Sequence, residues 1–268
     1  MEKPRSLSEV LQKQAEKYPD KIAYSVINTE GILSEEISYK SLFSFSKSFA
    51  KHIDNNAGDA DAAILLFPAG IDYIKSFFAT SISGKTIIPL PLPSNPDNKA
   101  FITLIHTIAA QISQKLVITN KGIKDSLQKV LPDFDIIAIE HTPLEETDFF
   151  KEPNENACYL FTSGSTSTPK GVIITQDNLL HNGGSVTSKY SYSENSVTVS
   201  WLPHFHAFGM LVNIIYPLFS GSGSILSSPS DFAADPFRWI HQLSGFKATH
   251  TGSPNFGFDI AAIEAEKK

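Results

Sequence analysis

Residues 158–178 read CYLFTSGSTSTPKGVIITQDN, an apolar segment that gives way to hydroxyl-bearing residues and then becomes apolar again. The first apolar run, residues 157–161, predicts a buried strand, and the run that begins at Lys170 predicts a second strand. In open α/β sheets, ligands bind beyond the carboxyl ends of the strands. The loop between the two runs begins where such a strand ends, so the stretch predicts a binding loop at the edge of a sheet.

Strands and helices alternate along the rest of the chain. An N-terminal helix (8–18), a hairpin (21–27 with 35–39) and a helix (40–53) are predicted first. AAILLF, KTIIPLPL, KLVIT and FDIIAIE then predict strands, the second of them broken by its prolines, with helices over 71–82, 100–112 and 124–130. After the loop, strands SVTVSW, SILSS and KATHT are predicted among helices over 178–190, 210–219, 236–243 and 256–264. Nearly continuous apolar strands separated by helices are typical of an α/β fold with mostly parallel sheets covered by helices.

The composition of the chain narrows the function classes. The 268 residues are 41% hydrophobic and 19% charged, which is typical of a globular protein. The net charge of −6 gives no reason to expect nucleic-acid binding. Cys158 is the single cysteine, the N-terminus has no apolar signal region, and no apolar run is long enough for a transmembrane segment. These features predict a cytoplasmic protein.

The hydroxyl-rich loop has the chemistry of an anion-binding site. Gly164 and Gly171 allow close backbone approach, and successive N–H groups in such a turn form a nest for an anion. The hydroxyls add donors, and Lys170 adds a positive charge suited to phosphate. A solvated Ser/Thr-rich hairpin turn is the alternative interpretation at this point.

Two other motifs fit the loop poorly. The glycine and lysine spacing is not that of a Walker A loop. Residues 167–170, STPK, match S-x-x-K of penicillin-binding enzymes, but the chain has no companion S-D-N or K-T-G motif.

FTSGSTSTPKGV (161–172) resembles the phosphate-binding signature of the adenylate-forming superfamily, which includes acyl-CoA synthetases, fatty acyl-AMP ligases and peptide adenylation domains. Eight residues match its fixed part: Thr162, Ser163, Gly164, Ser165, Thr166, Pro169, Lys170 and Gly171. Ser167 departs from it, because most members have glycine there. The resemblance implies ATP and Mg²⁺ as cofactors. Lys170 and the loop N–H groups would hold the β- and γ-phosphates, Ser165 and Thr166 would donate to phosphate oxygens, and the Thr162 hydroxyl would contact Mg²⁺.

A histidine motif follows at residues 200–221, SWLPHFHAFGMLVNIIYPLFSG. It resembles the next signature of the superfamily, with His206, Phe208 and Gly209 at matching positions, and the resemblance implies that His206 orients or gates the acyl carboxylate. The sequence His206-Ala-Phe-Gly is closer to acyl-CoA synthetases than to fatty acyl-AMP ligases. A zinc pair of His204 and His206 on one strand face, or a purely structural histidine, are the alternatives.

Residues 228–260 resemble fatty acyl-AMP ligases most. The matching residues are Phe232, Pro236, Trp239, Ala248, Thr249, Pro254, Asn255, Phe256 and Asp259. Phe232 and Trp239 are predicted to belong to the core. Gly252, Ser253 and Asn255, at a strand-to-helix turn, are predicted to line the acyl pocket.

The resemblance covers the whole chain, but the chain contains only the first part of the family's pattern. We therefore expect residues 1–268 to form an incomplete N-terminal AMP-binding domain, with a helix and hairpin segment (1–60) and an α/β region (61–268), and to be poorly active alone. The parent activity implied is activation of a fatty acid or other carboxylic acid as acyl-AMP, followed by transfer to a carrier-protein thiol. One alternative is an acyl-CoA synthetase, which transfers the acyl group to CoA. The other is a noncatalytic protein that binds a nucleotide or an acyl group.

Overall fold

A computed structural model describes residues 3–139, 145–162 and 169–267. The strands are β1 (Ile22–Ile27), β2 (Leu33–Ser38), β3 (Ala62–Phe67), β4 (Thr86–Pro91), β5 (Leu116–Asn120), β6 (Asp135–Ile139), β7 (Asn156–Thr162), β8 (Lys170–Thr175), β9 (Val197–Ser200) and β10 (Gly223–Leu226).

The helices are α1 (Leu7–Lys17), α2 (Tyr39–Asn56), α3 (Ile71–Ile82), α4 (Lys99–Ile112), α5 (Lys121–Val130), α6 (Gln176–Lys189), α7 (Ala207–Met210), α8 (Tyr216–Ser220), α9 (Pro229–Ala234), α10 (Pro236–Gly245) and α11 (Asn255–Glu266). A π-helical turn, Leu211–Ile215, joins α7 to α8. Within the described ranges, no helix combines the length and apolar content required to cross a bilayer.

The chain forms two compact units. The first comprises residues 1–9, 42–68 and 72–179, and the second comprises residues 10–41, 69–71 and 180–268. Residues 1–60 therefore supply segments to both units.

The first unit contains a six-stranded sheet of order β6-β5-β3-β4-β7-β8. All its pairings are parallel except that of β7 with β8, which form an antiparallel hairpin. Every residue of β3 is buried, as expected for a central strand with both faces covered. Side chains such as Ile64, Ile105 and Val117 form the core between this sheet and α4 and α5.

The second unit contains a four-stranded sheet of order β2-β1-β10-β9. The predicted N-terminal hairpin is confirmed as the antiparallel pair β1 and β2, and the other two pairings are parallel. The rings of Trp201 and Phe232 stack with centroids 3.8 Å apart, and Trp239 meets both rings edge-on. Phe232 and Trp239 are 6% and 1% exposed, which confirms their prediction as core residues.

The α/β fold class with mostly parallel sheets is thus confirmed, two local predictions are corrected, and one helix was missed. KATHT (247–251) makes a single parallel bridge, Thr198 to His250, instead of a strand. Helix α9 was not predicted from the sequence. KTIIPLPL is not broken by its prolines, because β4 continues beside β3 through Pro89 and Pro91. Its pairing with β7 is confined to Ile87 opposite Cys158, so the ladder on that side does not require the N–H that Pro89 lacks.

Candidate active site

The β7–β8 hairpin carries the two ends of the predicted phosphate loop. Thr162, the last residue of β7, is paired with Lys170, the first residue of β8, and Phe161 is paired with Gly171. The remaining predicted phosphate-binding residues lie outside the described residues: Ser163, Gly164, Ser165 and Thr166, together with Ser167. The structure therefore brings together Thr162, Lys170 and Gly171, which are all exposed.

The two strands of the hairpin differ in how they pack against the core. Cys158 in β7 is fully buried, and burial raises the pKa of its thiol to about 12. Tyr159 and Phe161 pack against the core of the first unit, whereas β8 is an edge strand that exposes its first four residues. A β-carbon at Gly171 would lie 3.1 Å from the Phe161 ring, so the glycine allows the ring to pack against the backbone of β8. Strand β7, which is buried at Ala157 and Cys158, thus presents the loop ends to solvent.

Helix α4 provides a second support for the loop. The Gln111 side chain, one residue before the end of α4, donates a hydrogen bond from Nε2 to the carbonyl of Pro169 at 3.1 Å. This contact holds the backbone immediately before Lys170. This contact could not be predicted from the sequence, because Gln111 is an ordinary polar residue in the last turn of an amphipathic helix.

The described ends of the loop fit a polyphosphate and its metal ion. Among the described residues, the Thr162 hydroxyl makes a single long hydrogen bond, 3.5 Å, to the Lys170 carbonyl, and both side chains are exposed. A hydroxyl oxygen and an ammonium group are thus presented on adjacent strands, which suits a Mg²⁺–phosphate group with Mg²⁺ retaining waters as further ligands.

His206 lies at the N-terminus of α7 in the second unit. It is the N-cap residue, and its Nδ1 accepts a hydrogen bond from the Phe208 N–H at 3.3 Å. A backbone N–H can only donate, so the ring carries its proton on Nε2 when it is neutral. The side chain is exposed, and Nε2–H is therefore suited to donate a hydrogen bond to an anionic oxygen.

The turn before α7 depends on a close backbone contact. The His206 N–H donates to the Pro203 carbonyl at 3.1 Å, and the Met210 N–H donates to the His206 carbonyl at 2.8 Å. A β-carbon at Gly209 would lie 2.0 Å from the Pro203 carbonyl oxygen, so only glycine fits there. Gly209 therefore allows the chain to fold tightly around the Pro203 carbonyl and sets the start of the helix that carries His206.

The predicted acyl-pocket residues follow the short bridge beside β9. Gly252 is buried, and a β-carbon there would lie 3.1 Å from atoms of Phe208 and Val212. Ser253 donates from Oγ to the Pro254 carbonyl at 3.0 Å, and Asn255 is the exposed first residue of α11. The structure thus brings Gly252 against Phe208, two residues after His206.

The zinc alternative is not supported within the described part of the chain. Strand β9 ends at Ser200, and His204 lies in a turn and His206 in a bend, so the two do not share the strand face that this alternative assumed. His204 is buried and packs edge-on against the Phe205 ring, whereas His206 is exposed. The described residues contain no group of three or more His, Cys, Asp and Glu side chains that could hold a metal ion.

Comparison with known proteins agrees with the resemblance seen in the sequence. The profile of the AMP-binding enzyme family matches residues 11–267. The medium-chain-fatty-acid–[acyl-carrier-protein] ligase JamA of Moorena producens is 29% identical over 97% of this chain and 46% of its own length. The long-chain-fatty-acid–AMP ligase FadD23 of Mycobacterium tuberculosis is 28% identical over 97% of this chain and 47% of its own length.

A solved structure has the same fold. The fatty acyl-adenylate ligase of Legionella pneumophila, in complex with acyl adenylate and pyrophosphate, superposes with a TM-score of 0.86 and 26% identity. The alignment covers 96% of this chain and 45% of that one. The chain therefore spans about half the length of the relatives that it matches.

Proposed function

The chain belongs to the AMP-binding enzyme family, and on that premise we propose that it supplies the phosphate-binding part of an ATP-dependent ligase that activates fatty acids as acyl-AMP. The observation that carries this proposal is the β7–β8 hairpin, which places an exposed hydroxyl and an exposed ammonium group, Thr162 and Lys170, side by side at the two ends of the loop. The names of the similar ligases support fatty acids as the substrate class.

In this proposal, the loop binds ATP through many donors and one cation. Lys170 and the backbone N–H groups around Gly171 hold the β- and γ-phosphates, and Ser165 and Thr166 donate to phosphate oxygens. Ser163 and Gly164 belong to the same set of phosphate-binding residues. The Thr162 hydroxyl contacts Mg²⁺, which neutralises phosphate charge when bound.

The second set of residues receives the carboxylic acid. His206 donates from Nε2 to the acyl carboxylate and orients or gates it. Gly252, Ser253 and Asn255 line the acyl pocket, and the missing side chain at Gly252 leaves room for the Phe208 ring beside it. The new carboxylate-oxygen–phosphorus bond replaces the bond to pyrophosphate, so the products are acyl-AMP and pyrophosphate. Because little covalent chemistry falls to the protein, its residues act by positioning and by charge neutralisation.

The acyl acceptor proposed is a carrier-protein thiol. The similarity to the acyl-carrier-protein ligase JamA supports it, whereas the sequence His206-Ala-Phe-Gly favours CoA as the second candidate. Thioester formation by the whole protein with an acyl carrier protein, compared with CoA at equal concentration, distinguishes the two. We also propose a cytoplasmic location, which the single buried thiol of Cys158 supports.

Fatty-acid-dependent ATP–pyrophosphate exchange by the whole protein tests the proposed function. We expect the variant Lys170→Ala to lose at least about 100-fold in kcat/KM for ATP, in the range found when one preorganised charge-stabilising group is removed. Lys121→Ala, an exposed lysine at the start of α5, is the matched control and should keep the parental rate. Equal rates for both variants would remove Lys170 from the phosphate site.

A further inference from the structure

The π-helical turn that follows His206 contains a buried amide. Leu211–Ile215 lies between α7 and α8, and Asn213 at its centre is only 2% exposed. Its neighbours Val212, Ile214 and Ile215 are also buried, so Asn213 is a polar side chain in an apolar environment. π-helical turns are rare and are frequently found at functional sites.

Asn213 makes one specific contact with the loop that carries His206. Its Nδ2 donates a hydrogen bond to the Leu202 carbonyl at 2.9 Å. Leu202 directly precedes Pro203, whose carbonyl accepts the His206 N–H and lies against Gly209. The amide of Asn213 is therefore connected to His206 through the Leu202 carbonyl, the Leu202–Pro203 peptide link and the hydrogen bond from the His206 N–H to the Pro203 carbonyl.

The oxygen of the Asn213 side-chain amide argues against a role in stability alone. Asn213 Oδ1 is buried and has no hydrogen-bond partner among the described residues. A buried acceptor without a partner lowers stability, which offsets what the Nδ2 hydrogen bond contributes. Because the two effects oppose each other, a leucine of similar size should fold about as well.

We propose that Asn213 is a positioning residue for His206, fixing the 202–206 turn so that Nδ1 faces the Phe208 N–H and Nε2–H is left for the carboxylate. This inference rests on the proposed function for its catalytic meaning, but the state of the His206 ring can be measured without any activity.

Nitrogen NMR of the His206 ring in chain 1–268, at a pH where the ring is neutral, is the first test. We expect the unmodified chain to show the Nε2–H tautomer. Asn213→Leu, which removes both amide groups, and Asn213→Asp, which keeps the shape but loses the donor, should both shift the ring towards a mixture of tautomers. Asn182→Leu, which removes the partner of the Tyr216 hydroxyl in the same unit, is the control and should leave the ring unchanged.

Kinetics of the whole protein provide the second test. Both Asn213 variants should raise KM for the fatty acid about tenfold and change KM for ATP less than twofold, since only the carboxylate contact is affected. A tenfold change corresponds to about 1.4 kcal/mol.

A His206 ring that carries its proton on Nδ1 in the unmodified chain would overturn the proposal whether or not the variants fold. An unchanged ring in a folded Asn213 variant would also overturn it. If the whole protein made no acyl-AMP, the proposed function would fail, and the ring tautomers would still decide the role of Asn213.

Discussion

Replacement of glycine by alanine is expected to have opposite effects on stability at Gly209 and at Gly184. A β-carbon at Gly209 would lie 2.0 Å from the Pro203 carbonyl oxygen, whereas one at Gly184, in α6, would meet no described atom within 4 Å. We expect Gly209→Ala to lower the free energy of unfolding by about 3 kcal/mol, because backbone must move to accommodate the methyl group. Gly184→Ala should raise it by up to about 1 kcal/mol through helix propensity. Urea unfolding of both variants checks this, and a Gly209→Ala variant as stable as the parent would contradict the tight turn.

Cys158 gives a prediction about reactivity. Its thiol is buried in β7, and burial raises the pKa to about 12. Because the thiolate is the nucleophile, only about 10⁻⁴ of the thiol is reactive at pH 8. We expect a thiol reagent to label the native chain very slowly and the urea-unfolded chain rapidly. Rapid labelling of the native chain at pH 8 would show that the thiol is accessible.

Candidate residues could be identified from the sequence, but their contacts could not. Lys170 and His206 stand out because their neighbours form recognisable patterns. Asn213 gave no signal, because one amide within an apolar helix says nothing about which carbonyl it meets. The contact of Gly252 with Phe208 could not be predicted either, because 43 residues lie between them in the sequence. The bridge between His250 and Thr198 brings the chain back beside β9 just before Gly252.

At the scale of elements, α4 and the β7–β8 hairpin are joined by the Gln111 side chain. We expect Gln111→Ala to raise KM for ATP about threefold, the equivalent of ~0.65 kcal/mol, because the backbone before Lys170 loses a support. Gln128→Ala is the matched control, since Gln128 Nε2 also donates to a backbone carbonyl, that of Phe134 at 3.4 Å, directly before β6 of the same unit. Steady-state kinetics of the whole protein measure both. The same KM for ATP in the two variants would mean that Gln111 does not support the loop.

Secondary structure was predictable where local pattern and tertiary environment agree. The predicted helix over 71–82 matches α3 at both ends, because its apolar spacing continues until Gly84 follows. KATHT has strand-like composition, but only His250 pairs with β9, so local propensity was not matched by a partner strand. Helix α9 was missed because its six residues, PSDFAA, are too few to show a helical period; the Ser228 cap and Pro229 are its only local signals.

At the scale of the whole molecule, the fold class followed from the alternation of elements, but the order of strands did not. In the second sheet, β1 pairs with β10, so Tyr24 is opposite Ser224. A pairing across 200 positions leaves no local pattern in the sequence. The division into two units, each with segments from distant parts of the chain, could not be predicted for the same reason.

The chain spans about half the length of its relatives, which leads to a prediction about residues 1–268 alone. The resemblance implies that charge-stabilising groups outside the matched part of the family pattern also take part in the reaction. We expect acyl-AMP formation by residues 1–268 to be at least about 100-fold slower than by the whole protein, the cost of losing even one such group. A pyrophosphate-release assay on both forms checks this, and equal rates would show that residues 1–268 suffice.

The most direct test of the proposed function is to identify the product of the whole protein. The protein is incubated with ATP, Mg²⁺ and a medium- or long-chain fatty acid without any thiol acceptor, and the products are analysed by mass spectrometry. We predict acyl-AMP and pyrophosphate in equal amounts, formed at least about 100-fold more slowly by Lys170→Ala and at the parental rate by Lys121→Ala. Release of ADP and phosphate, or no product with any carboxylic acid, would contradict a role in fatty acid activation.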